Sequence, residues 1–203
     1  MRKCLKRLSI CLLLVSLAWT AIAIFDRQTL KNELIRLHVV AASDSEADQA
    51  LKLKVRDAVV NSLQEDMKNV ADMEQAKSYL QENLPKIEAL ANRVLRAAGC
   101  PDVATVSLQL EEFTTRYYDT FTLPAGIYEA LRITIGEGEG QNWWCVVFPT
   151  LCVGATVEEF EETAQCAGLS ESLAAALAGE EGYEVRFFLL DALGKLENFL
   201  HKS

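Results

Sequence analysis

Histidine is almost missing from this chain: His38 and His201 are the two in 203 residues. A multi-histidine zinc centre therefore has no ligands to draw on, and most histidine-based acid–base machinery lacks its parts. Proline (4) and glycine (10) are scarce while half of all positions are apolar, which excludes a disordered chain. Basic residues are outnumbered, 20 Lys and Arg against 29 Asp and Glu, for a net charge of −9. A nucleic-acid partner needs a phosphate-neutralising basic face, so that class is set aside. No Cys-x-x-Cys occurs, which removes thioredoxin-type redox and zinc-knuckle readings, and no Gly-x-Ser-x-Gly marks a serine nucleophile.

What is present is unevenly placed. Arg2, Lys3, Lys6 and Arg7 precede Leu8–Phe25, an 18-residue run without a charge. Such a helix spans roughly 27 Å, close to the ~30 Å hydrocarbon core, and its basic end stays cytoplasmic. Residues 1–25 therefore read as a signal peptide or a membrane anchor. Ala21-Ile22-Ala23 supplies the small-x-small pattern of a cleavage site, and the span length equally permits retention. Setting aside those four basic residues takes the exported part to −13, so contact with the membrane is expected only through the N-terminal segment.

Residues 26–33 read as a linker or a stem helix, and 34–203 as a single exported domain. Leu34–Val40 reads as a short strand. Ser45-Glu46-Ala47-Asp48 has the form of a capping box, starting an amphipathic helix through Leu51, Val55, Ala58, Val59 and Leu63. Met73–Leu80 continues the helical pattern, Pro85 is expected to interrupt it, and Asn83 to cap a further helix ending at Gly99. Val106, Leu108 and Leu110 alternate as a strand. Tyr128–Ile135 and Trp143–Phe148, joined by Gly136–Gly140, read as a hairpin. Thr156–Cys166 and Glu171–Ala178 read as helices, Tyr183–Phe187 as a last strand, and Leu189–Leu200 as a last helix. The fold class is α+β: a mixed, mainly antiparallel sheet with helices on one face.

Candidate chemistry is thin. Gly136–Gly140 is a glycine-rich run, but its two glutamates repel phosphate and no helix follows, so it reads as a loop. Asp44, Glu46 and Asp48 have the spacing of calcium ligands, yet Gln49 and Val55 stand where the turn glycine and bidentate glutamate belong, and capping explains the acids better. No metal or cofactor is expected. His38 shares a strand face with Arg36, with Asp44 and Asp57 as possible neighbours. Cys100, Cys145, Cys152 and Cys166 lie outside the leader and allow three pairings; Cys145 with Cys152 is the first to test, because Pro149 can turn the chain between them. Trp143 and Trp144 point to opposite sheet faces, and an exposed indole there would be a binding anchor.

Two long strings are distinctive. The first is Leu34-Ile35-Arg36-Leu37-His38-Val39-Val40-Ala41-Ala42-Ser43-Asp44-Ser45, continuing through Asp48-Gln49 and Lys52 to Val55-Arg56-Asp57. The second is Leu123-Pro124-Ala125-Gly126 with Tyr128–Arg132, Gly136-Glu137-Gly138 and Asn142–Pro149, closing at Leu151-Cys152. With these strings the chain resembles the stage II sporulation protein R family of endospore-forming bacteria. Ala42 stands where an asparagine is expected and Thr150 where a second proline is usual; neither touches a catalytic role, since the family has none.

The resemblance implies a non-enzymatic signal, made in the forespore and exported across its inner membrane into the space facing the mother cell. There it would prompt a membrane-embedded aspartyl protease of the mother cell to cut the sigma-E precursor. Arg36, His38, Asp44, Asp48, Arg56, Trp143 and Trp144 are the partner-contact candidates. Two alternatives stay open: an exported enzyme using Cys145 and His38, and a cell-wall-binding module using a tryptophan.

Overall fold

The computed structural model describes residues 2–149 and 157–202. Helix α1 (Arg2–Glu33) is followed by β1 (Ile35–Val40), α2 (Glu46–Asp66), α3 (Met73–Ala97), β2 (Ala104–Phe113), β3 (Arg116–Tyr117), β4 (Thr122–Leu123), β5 (Gly126–Ile135), β6 (Asn142–Phe148), α4 (Val157–Cys166), α5 (Glu171–Ala178) and α6 (Glu184–His201).

Helix α1 is long and apolar enough to cross a membrane, and the leucines of its uncharged stretch, Leu8–Phe25, are exposed to their surroundings. The helix then runs on without a break through 26–33, so this stretch is helix and not a loose linker. Ala23, Asp26 and Leu30 share one helical face and are buried, because that face packs on the domain. Asp26 takes two hydrogen bonds from Arg186 of α6, at 2.6 and 2.7 Å. Arg27 and Lys31 both pair with Glu197 of the same helix. The last turns of α1 thus belong to the folded unit.

A four-stranded sheet has the order β2-β5-β1-β6, with β1 parallel to β5 and antiparallel to β6. The expected β5–β6 hairpin does not form, because β1 lies between its two arms. All six β1 residues are buried, as a central strand with both faces covered requires. The Gly136–Gly140 link therefore has to pass around the end of β1. A Cβ on Gly140 would lie 2.3 Å from the Ser43 carbonyl oxygen, so a glycine is needed at that crossing.

Helices cover both faces of the sheet, not one. On the first face, α2 and α3 pack over Ile35, Leu37, Val39, Leu131 and Ile133. Ser45 caps α2, its hydroxyl accepting from the Asp48 N–H at 3.1 Å. Lys52 of α2, although a lysine, is buried, donating to Gln49 Oε1 and the Gln141 carbonyl, and burial lowers its pKa. Helix α3 runs as one element through Pro85, and Asn83 bonds back to the Tyr79 carbonyl instead of capping a new helix. Its continuous buried stripe, Ala76, Leu80, Ile87, Ala91 and Leu95, outweighs one missing N–H.

The second face holds Leu30, Phe113, Tyr128, Phe160, Leu173 and Leu190 from α1, β2, β5, α4, α5 and α6, with Leu34 from the joint between α1 and β1. Tyr183–Phe187 is not a strand, for α6 begins at Glu184. Its buried positions Leu190, Asp191 and Gly194 keep a helical period, and three alternating residues are too short a signal to decide against helix. Asp191 ties α6 down by accepting from the Thr115 hydroxyl at 2.5 Å and the Ala125 N–H at 2.9 Å. Strands β3 and β4 pair as a small antiparallel arm, with Tyr118 and Phe121 stacked at its tip and Phe121 stacked on Phe160.

Candidate functional site

Alternation along β1 sends Arg36 and His38 to the second face, away from Leu37 and Cys145 on the first. Residues 38, 132 and 144 stand side by side on β1, β5 and β6. The His38 ring stacks on Trp144 at 5.5 Å between centroids. Its Nδ1 is 2.6 Å from Glu111 and its Nε2 2.7 Å from the Asn142 side-chain oxygen. Both ring nitrogens are engaged, so neither is left to move a substrate proton.

Glu111 joins this network to the sheet edge. It also takes a bond from Arg132 at 2.9 Å and one from Gln109 at 2.8 Å. Burial alone would raise its carboxyl pKa, but the bonds from His38 and Arg132 outweigh that and hold it at about 2. Asp44 and Asp57 are not the acids that meet His38. Asp44 accepts from the Gln141 N–H at 2.7 Å, and Asp57 pairs with Arg56.

The remaining candidates separate into two places. Asp48 sits at the α2 N-terminus, its carboxyl held below the usual range by the Ser43 hydroxyl and then that of Ser45. Arg56 lies 4.1 Å over the Trp143 ring on the first face. Trp144, on the second, lies 3.3 Å beneath the Arg116 guanidinium. The two indoles do point to opposite faces, and each is half-buried under an arginine rather than exposed as an anchor.

Cys145 is disulfide-bonded and faces the first core, so no thiol pairs with His38. Cys152 lies outside the described residues. Cys100 and Cys166 carry free thiols. Among the described residues no cluster of three or more metal-ligating side chains forms.

Sequence reasoning missed Glu111, Asn142, Arg132, Arg116 and Tyr118. One signal was within reach: Ser107, Gln109 and Glu111 are polar at every second position of β2, and a polar stripe on a strand whose next such residue is the buried Phe113 marks a face that turns from wet to dry.

The class that fold and site define is an α+β domain carried on an apolar N-terminal helix suited to a signal or an anchor. Residues 31–158 match the family model described as Stage II sporulation protein R, and the chain belongs to that family. It is similar to the Stage II sporulation protein R of Bacillus subtilis (strain 168), 33% identical over 183 residues, covering 81% of this chain and 82% of the relative. No solved structure matches the chain.

Proposed function

We propose that the chain is an intercompartmental sporulation signal that works by docking. It is delivered across the forespore inner membrane, and its domain binds the outward-facing part of the membrane-embedded aspartyl protease of the mother cell. Tighter binding to the protease's active arrangement shifts the protease toward it, and the sigma-E precursor is cut. The single observation that carries this reading is membership of the sporulation family by a domain continuous with a membrane-length helix. The closed His38 network and the oxidised Cys145 support docking over catalysis, since neither is poised to react. Half-burial of both indoles argues against sugar stacking as the main contact. Of the candidates, Trp144 and His38 mark the proposed contact, at the second-face end of the sheet where the neighbouring Arg132, outside that set, reaches the surface.

Coexpression of the full chain with the protease and precursor in a non-sporulating host tests the proposal. Precursor processing that depends on the chain is the expected result. Precursor left uncut with all three proteins present overturns it.

A further inference from the structure

Arg36 heads the fully buried side chains by volume, and among the described residues no acid pairs with it. Its guanidinium lies 4.0 Å over the Phe113 ring and 5.2 Å from that of Tyr128. Nη2 donates to the Tyr118 hydroxyl at 2.9 Å, while Nε and Nη1 are buried without a hydrogen-bond partner. A second guanidinium repeats the pattern. Arg116 covers Trp144, and its Nε is also buried and unpartnered.

The two cations feel each other. The Arg116 pKa is lowered by burial first and then by the charge on Arg36. Two acids of this face are engaged elsewhere: Glu111 on His38 and Arg132, Asp191 on Thr115, Ala125 and Lys195. A cation–π contact returns less than burying an unpaired charge costs. Aromatic faces alone therefore leave the buried Arg36 charge uncompensated.

We propose that Arg36 and Arg116 form an anion site beneath the β3–β4 arm, and that its ligand is a carboxylate. The unspent donors lie in the planes of two guanidinium groups, each stacked on an aromatic ring. A flat monoanion with in-plane lone pairs matches such donors, whereas a tetrahedral dianion needs more of them. Arg116, at the start of β3, and Tyr118, which holds Nη2, both belong to the arm, so the arm brings one guanidinium and the partner of the other to the same place. A carboxylate on a polypeptide side chain and a free small carboxylate share the chemistry, and the site stands whether or not the protease is the receptor.

The test is thermal unfolding of the full-length protein in detergent at pH 7, in sodium acetate, sodium chloride or sodium sulfate of equal ionic strength. Acetate is expected to raise Tm saturably, by about 3 °C over chloride at high occupancy. Arg116→Met, on a half-exposed side chain, is expected to fold and to lose that response. Arg36→Met is expected to unfold no lower than wild type in chloride, since an apolar isostere removes an unpaired charge, and also to lose the response. A capped Ala-Glu-Ala peptide separates the sources: a response at lower concentration than acetate assigns a polypeptide side chain, and a response to acetate alone assigns a free carboxylate. Equal Tm in acetate and chloride, a response retained by Arg116→Met, or a larger saturable response to sulfate that Arg116→Met abolishes overturns the proposal.

Discussion

Gly194 of α6 rests directly on the backbone of Ala125. A Cβ placed there would come within 1.7 Å of the Ala125 carbonyl oxygen. The α6 helix lies this close because the same stretch of chain is hydrogen-bonded through the Ala125 N–H to Asp191. In an isolated helix, alanine would be better than glycine by about 1 kcal/mol. Here the sign reverses.

Gly194→Ala is accordingly expected to destabilise the domain by about 3 kcal/mol, since backbone cannot step aside as a flexible side chain does. Urea unfolding of the full chain in detergent reads this directly. A neutral or stabilising substitution would mean that α6 does not seat on Ala125.

Pro85→Ala is expected to do the opposite. Pro85 sits inside α3 with its ring exposed, so the substitution restores an N–H and loses no packing. A gain of about 1–3 kcal/mol follows from the helix propensities. The same unfolding midpoint measures it.

Acid should release the Glu111 network. Folding holds this carboxyl below its ordinary 4.5, at about 2, so its contribution is full above pH 4.5 and is lost as pH falls toward 2. Glu111→Gln is expected to cost about 3 kcal/mol at pH 7 and to flatten stability over that acid window. A variant with the wild-type slope between pH 4.5 and 2 would assign the acid sensitivity elsewhere.

The tie between α1 and α6 can be cut without shortening the apolar helix. Asp26→Asn leaves the Arg186 guanidinium without its charge partner and is expected to cost about 3 kcal/mol. Gln28→Ala, two residues on at the exposed, opposite side of the helix and bonded only to Asn32 among the described contacts, is expected to change stability little. Equal effects would show that the end of α1 is not part of the folded domain.

Local chemistry was readable and distant pairing was not. Ser45 and Asp48 announce the start of α2 because a cap is settled within four residues. The place of β1 between β5 and β6 rests on partners about a hundred positions away, which no spacing encodes, so the glycine link looked like a hairpin. The burial of Lys52 was illegible for the same reason: its acceptor, the Gln141 carbonyl, comes from another part of the chain. Tyr183, Val185 and Phe187 alternate as a strand would, but their neighbours decide, and Asp191 and Gly194 need a helix to reach Ala125. At the site, the pairing of Arg36 and His38 on one face was legible from strand alternation, while Glu111, which meets His38, comes from a strand that is not even adjacent to β1.

The position of β1 also governs timing. Its two hydrogen-bonding neighbours end at Ile135 and Phe148, so a chain synthesised from its N-terminus holds this strand without its first neighbour for 95 residues past Val40 and without its second for 108. Contacts between such distant segments form slowly. Any machinery that threads polypeptide as an extended strand has that whole interval before the sheet can lock.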